Sequence, residues 1–142
     1  MLVYLDNCCF NRPFDDQSQL TVRMETEAKL YVQERVMLRV LSLAWSFVLD
    51  YENSMNTDAD VKAQIALWRE LASVRCVLDN EVQAKAHDLM ALGLKQMDAA
   101  HVACAIRANA DFFLTVDKRI LNKPITGITV INPIDFVRRT QK

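Results

Sequence analysis

KQMDAAHVACAIRANADFFLTVDKRIL, Lys95–Leu121, reads as a helix, a turn, a strand and the first turn of another helix. Between Ala99 and Ala108 only His101 and Arg107 interrupt a run of apolar or small residues. A helix that is apolar almost all round is a buried one. DFFLTV is short, continuous and rich in aromatic and β-branched residues, as expected of a strand covered on both faces. Asp98 stands at the start of the helix and Asp117 just past the end of the strand. Two acids therefore sit at the ends of two interior elements.

The same alternation extends outward from this stretch. Leu2–Leu5 is an apolar strand ending at Asp6, and Asn7–Ser18, rich in Asn and Asp with one Pro, reads as a loop anchored by Phe10 and Phe14. Ser18 or Thr21 is placed to cap a helix running to about Leu38. Leu41–Trp45 is a strand, followed by a short helix capped by Ser46 and ending near Ser54. After a turn at Asn56–Asp60, Asp58 caps a helix with Val61, Ile65, Trp68 and Leu71 at three- and four-residue spacing. Val74–Leu78 reads as a further strand, Asn80–Leu92 as a helix ended by Gly93, Thr129–Ile131 as a last strand, and Asn132–Thr140 as a helix with Pro133 in its first turn. Strands alternating with helices predict one domain over residues 1–142, a three-layer α/β/α sandwich around a mostly parallel central sheet. Ligands of such folds lie outside the carboxyl ends of the strands, the edge where Asp6 and Asp117 both fall.

Composition excludes several classes. A chain of 142 residues, half hydrophobic and a quarter charged, is long enough to bury a core and is not disordered. No apolar run approaches a membrane span, and the first ten residues lack the basic start and length of a signal peptide. Cys8, Cys9, Cys76 and Cys104 form no CxxC, which predicts free thiols and a cytoplasmic setting. The net charge of −1 gives no global basic field, so contact with a polyanion has to come from a local patch.

With eighteen acids in the chain, each candidate is weighed singly. Asp6 also fits a turn residue, Asp98 a first-turn acid favoured by the helix dipole, and Asp117 a cap on a helix starting at Lys118. Glu52 is more informative. On a helix begun by Ser46 it shares a face with Val48, Leu49 and Met55, while Asp50 falls with Asn53, Ser54 and Thr57 on the polar side. An inward carboxylate needs a cationic partner or a metal. Asp6, Glu52, Asp98 and Asp117 together make a cluster that cannot stay ionised without a counter-ion. Hard oxygen donors, with no His/Cys cluster in the sequence, suit Mg²⁺ or Mn²⁺. His101, one turn after Asp98, lies within reach of the cluster and is read as a hydrogen-bonded interior histidine.

This constellation resembles the PIN domain family, on YLD at Asp6, SFVLDYENS at Glu52, MDAAHVACA at Asp98, and FFLTVDKRIL at Thr115 and Asp117. The segment NCCFNRPFDDQS lies outside the family pattern. The resemblance implies a metal-dependent ribonuclease, commonly the toxin of a toxin–antitoxin pair, with the four acids as catalytic groups holding Mg²⁺ or Mn²⁺. Thr115 then supports a ligand or a metal-bound water, and Arg12, Lys118 and Arg119 are the basic residues nearest the edge for RNA phosphates. A small antitoxin and a homodimer are the implied protein partners. The competing readings are a non-catalytic module whose acids hold a metal or a basic partner, and a phosphate-accepting signalling domain. The latter calls for adjacent acids after the first strand, where Asp6 is followed by Asn7 and Cys8.

Overall fold

Leu2–Leu5 forms β1, whose Val3, Tyr4 and Leu5 are almost wholly buried. It is the middle strand of a five-stranded sheet in the computed structural model, which describes residues 1–141. Its partners are β2 (Ser42–Ser46) and β4 (Phe112–Leu114), with β3 (Val74–Cys76) and β5 (Thr129–Ile131) at the edges, in the order β3-β2-β1-β4-β5. Every pairing is parallel. Helices separate the strands: α1 (Asn7–Asn11), α2 (Leu20–Met37), α3 (Phe47–Ser54), α4 (Ala59–Leu71), α5 (Asn80–Ala91), α6 (Gln96–Arg107), α7 (Lys118–Leu121) and α8 (Pro133–Thr140). The result is the three-layer sandwich expected from the alternation.

The strand order locates the site. The chain steps outward from β1 to β3, then crosses back over β1 to β4. Right-handed crossovers therefore put α5 and α6 on the face opposite α2. The order reverses between β1 and β4, and the crevice for a ligand opens outside the carboxyl ends of strands at such a reversal. Asp6 follows β1 there, and Thr115 and Asp117 follow β4. The amide of Asp6 still donates to the Leu114 carbonyl at 2.9 Å, and that of Thr115 to Ile131 at 3.1 Å, so the ladder holds both residues rigidly past the strand ends.

Several local expectations are corrected. Residues 7–18 are not simply a loop: α1 is followed by a 3-10 turn at Arg12–Phe14. Asp6 accepts from the Asn7 amide at 2.8 Å and starts α1, and Pro13 suits the first turn of the 3-10 segment. Phe10 is an anchor, but Phe14 is 45% exposed. Neither Ser18 nor Thr21 caps α2, which begins after Gln19; Ser18 bonds Asp16 instead. β3 stops at Cys76 because Val77 and Leu78 turn out to solvent. In α3, Met55 lies past the end and is exposed, whereas Asn53 is buried and donates its amide to the Lys62 carbonyl at 2.9 Å. Ser46 and Asp58 cap α3 and α4 as expected. Among the described residues no helix is long and apolar enough to cross a membrane, and the four cysteines are free.

Candidate metal centre

Asp6 is buried at the β1 exit and held from several sides. Its carboxylate accepts from the Asn7 amide at 2.8 Å, from the Thr115 hydroxyl at 2.8 Å and from the Cys8 thiol at 3.4 Å. Thr115 in turn accepts from the Asp117 amide at 3.1 Å, so one hydroxyl links the ends of the two central strands. The Cys8 thiol stays protonated, pushed well up by its contact with the Cys9 thiol and by burial.

Glu52 reaches the same point from α3. Ser46 sets that helix's start by accepting from the Leu49 amide at 3.2 Å, and one carboxylate oxygen of Glu52 accepts from the Asn7 side-chain amide at 3.3 Å. The other meets His101 Nε2. His101 is fully buried on α6, with Nε2 3.7 Å from Asp6 and Nδ1 2.7 Å from the Tyr4 hydroxyl, itself 2.6 Å from Ser46 Oγ. Burial keeps the Tyr4 phenol protonated.

Donor atoms of Asp6, Glu52 and His101 thus lie within 4.8 Å of one another. Asp98, in the first turn of α6, stands beside them half-buried. Burial pushes its carboxyl above the usual range, and the charges of Asp6 and Asp117 add to this against Arg119 and His101. Asp117 caps α7 and takes a bidentate grip from Arg119, at 2.9 and 3.2 Å, which holds its carboxyl low. Asp50, on the other side of α3, is exposed and bonds Trp45 Nε1 and Arg69, consistent with its assignment to solvent.

The donor set suits a hard divalent cation. Carboxylates converge on one edge, and the buried Asn7 Oδ1 beside them has no hydrogen-bond partner among the described residues. Asp6 and Glu52 would be the inner donors, with Asp98 and Asp117 completing the acidic rim. His101 belongs to this centre as well as to the interior. It is the lone polar side chain in the apolar run before Arg107, three residues after an acid, and that is the signal that points to it.

Cations gather on the side of the rim nearest α7. Lys95, Lys118, Arg119 and Lys123 line a groove of about 410 Å³ with Asp98 and Asn122. Gly93, at φ +102°, makes room there: a Cβ would lie 2.9 Å from Lys123 Nζ. Arg12 is placed elsewhere, 3.1 Å from Asp15 and 3.6 Å from Glu25. Lys95 and Lys123 are additions to the basic residues expected from sequence.

The PIN domain family model matches residues 3–125. The chain belongs to the PIN domain family. This PIN domain is similar in fold to FitAcB from Neisseria gonorrhoeae, with a TM-score of 0.58 and 16% identity over 92% of this chain and 97% of that one. It is similar also to VapBC2 from Rickettsia felis bound to a DNA fragment from their promoter, with a TM-score of 0.58 and 13% identity over 93% and 98% of the two chains. No curated protein matches the sequence.

Proposed function

We propose that this PIN domain is a Mg²⁺- or Mn²⁺-dependent endoribonuclease and the toxin component of a toxin–antitoxin pair. The observation that carries the reading is the convergence of Asp6 and Glu52 on one point at the strand-order reversal, with Asp98 and Asp117 beside them. When bound, a divalent ion supplies charge that stabilises a scissile phosphate and acidifies water. The chain's own residues arrange the rest. Thr115, Cys8 and the Asn7 amide orient Asp6; His101, backed by Tyr4 and Ser46, orients Glu52. Lys95, Lys118 and Lys123 meet neighbouring phosphates of an RNA strand without reading its bases. The toxin role, the antitoxin partner, a homodimer and a cytoplasmic setting follow from the family, and the fold likeness to FitAcB and to promoter-bound VapBC2 supports the toxin role and the antitoxin partner.

One observation favours a second reading, a non-catalytic module. Arg119 already offsets Asp117, and His101 already occupies one oxygen of Glu52. Labelled RNAs incubated with EDTA, Mg²⁺ or Mn²⁺ separate the two. The nuclease cuts only with metal, and Asp98→Asn purified identically does not. Mn²⁺ binding in calorimetry with every RNA intact supports the module, and equal cutting by both proteins sinks the assignment of this site.

A further inference from the structure

Cys76 and Cys104 take no part in the metal centre, yet the fold brings them together. Cys76 closes β3 in register with Ser46 on β2, and register partners on neighbouring strands point to the same face of a sheet. That face is the one under α6, because Ser46 Oγ reaches Tyr4 and Tyr4 reaches His101. Cys104 lies one helical turn beyond His101 on the same stripe. Both thiols therefore face the space between the ends of β2 and β3 and the middle of α6. Cys104 is fully buried, whereas Cys76 is 8% exposed and lines a surface cleft of about 220 Å³ with Arg75, Asp79 and Arg107. That volume is several times the roughly 30 Å³ share of a water molecule, so a peroxide fits.

We propose that Cys76 and Cys104 are a disulfide-forming pair, oxidised by hydrogen peroxide that enters through this cleft. The two thiols are set up for different parts. Cys76 donates to the Val77 carbonyl at 3.6 Å, and the neighbouring Cys104 thiol draws it down with help from Arg107, against burial and Asp79. The same contact, together with burial, holds Cys104 protonated. Reactivity follows the thiolate and its access, so Cys76 attacks. Its sulfur takes one peroxide oxygen, the O–O bond breaks, and the departing hydroxide leaves as water with the proton Cys76 released. Cys104 then attacks the sulfenic sulfur. The S–S bond forms, the S–O bond breaks, and hydroxide leaves as a second water with the Cys104 proton. Two thiols are oxidised to one disulfide and one peroxide is reduced to two waters. Cys8 and Cys9 are adjacent in the chain and occupied at Asp6, Thr115 and the Leu114 carbonyl, so they are not the pair.

The test is peptide mapping of the folded full-length protein after stoichiometric peroxide and alkylation. The expected product is a Cys76–Cys104 cross-linked peptide that dithiothreitol abolishes, with Cys8 and Cys9 alkylated. In Cys104→Ala a dimedone adduct collects on Cys76, and in Cys76→Ser peroxide leaves Cys104 alkylatable once the protein is unfolded. A cross-link through Cys8 or Cys9, or Cys76 carried on to sulfinic acid in the wild type with no cross-link, overturns the proposal. So does a wild type that is inert to peroxide. The wild-type arm needs no substitution to fold.

Discussion

Burial, together with the charges of Asp6 and Asp117, raises the Asp98 carboxyl above its usual range. Its folded-state affinity for a proton exceeds the unfolded one, so its contribution to stability is complete below the usual carboxylate range and is lost as pH rises through the raised value. Asp98→Asn removes that opposition. Urea midpoints are therefore expected to be equal to or above wild type at pH 7 without metal, and the gain to vanish in acid, while metal-dependent cleavage is lost. A lower midpoint at pH 7 would show that the carboxylate has a structural partner. Thr115 gives the opposite pattern. Thr115→Val strips the hydroxyl that links Asp6 to the Asp117 amide, and such outer supports are worth about 10–100-fold in metal affinity. Calorimetric Mn²⁺ binding should weaken by that factor and return in Thr115→Ser.

At the scale of elements, α2 carries a buried polar stripe: Glu25, Thr26, Lys29 and Gln33 alongside Ala28, Val32 and Val36. Lys29 is 1% exposed, with its ammonium 4.8 Å from the Phe10 ring centroid. The Gln33 carbonyl oxygen, with its amide oriented toward them, accepts from Lys29 at 2.6 Å and from Trp68 Nε1 at 3.1 Å. Burial lowers the Lys29 amine to about 8, partly countered by Cys9 and Cys8. For an amine lowered on folding, the unfolded chain keeps its proton longer, so this contribution to stability rises as pH climbs from about 8 toward the free value near 10.5. Lys29→Met should exceed wild type at pH 7 by up to roughly 3 kcal/mol, less the lost contact with Gln33, and the gap should close by about pH 10.5. A gap independent of pH would place the effect in packing alone. This stripe was not legible in the sequence, because a buried Lys or Gln depends on partners distant in the chain, here Phe10 and Trp68. α6 and β4 were legible because apolar residues all round leave them no exposed alternative. The α1 helix was hidden for another reason: its cap, Asp6, also stands in the candidate metal centre, and Asn and Pro read locally as loop. Asp6, Glu52, Asp98 and Asp117 were nameable as acids at element ends. The placing of His101 among them, and the turning of Arg12 toward Glu25, needed the third dimension.

For the whole molecule, a ligand bound to the native state alone raises stability by mass action. Mn²⁺ at a hundred times its dissociation constant adds about 2.7 kcal/mol, or roughly 8 °C in Tm for a chain of this size. Scanning calorimetry should show that rise in wild type and a smaller one in Asp98→Asn. On the proposed nuclease reading, a net charge of −1 leaves RNA affinity to the groove by α7 rather than to a general field. Three lysines there predict a log–log salt slope of about −2 for single strands, shallower by about 0.7 in Lys118→Ala, measured by anisotropy on the Asp98→Asn protein. The central position of β1 reaches further still. The first strand made pairs with β4, so Asp6 waits for Asp117 through some 6–20 s of synthesis at ordinary ribosomal speeds. On the proposed nuclease reading, a chain stopped before Asp98 carries at most Asp6 and Glu52 of the four acids and should leave the RNA around it intact.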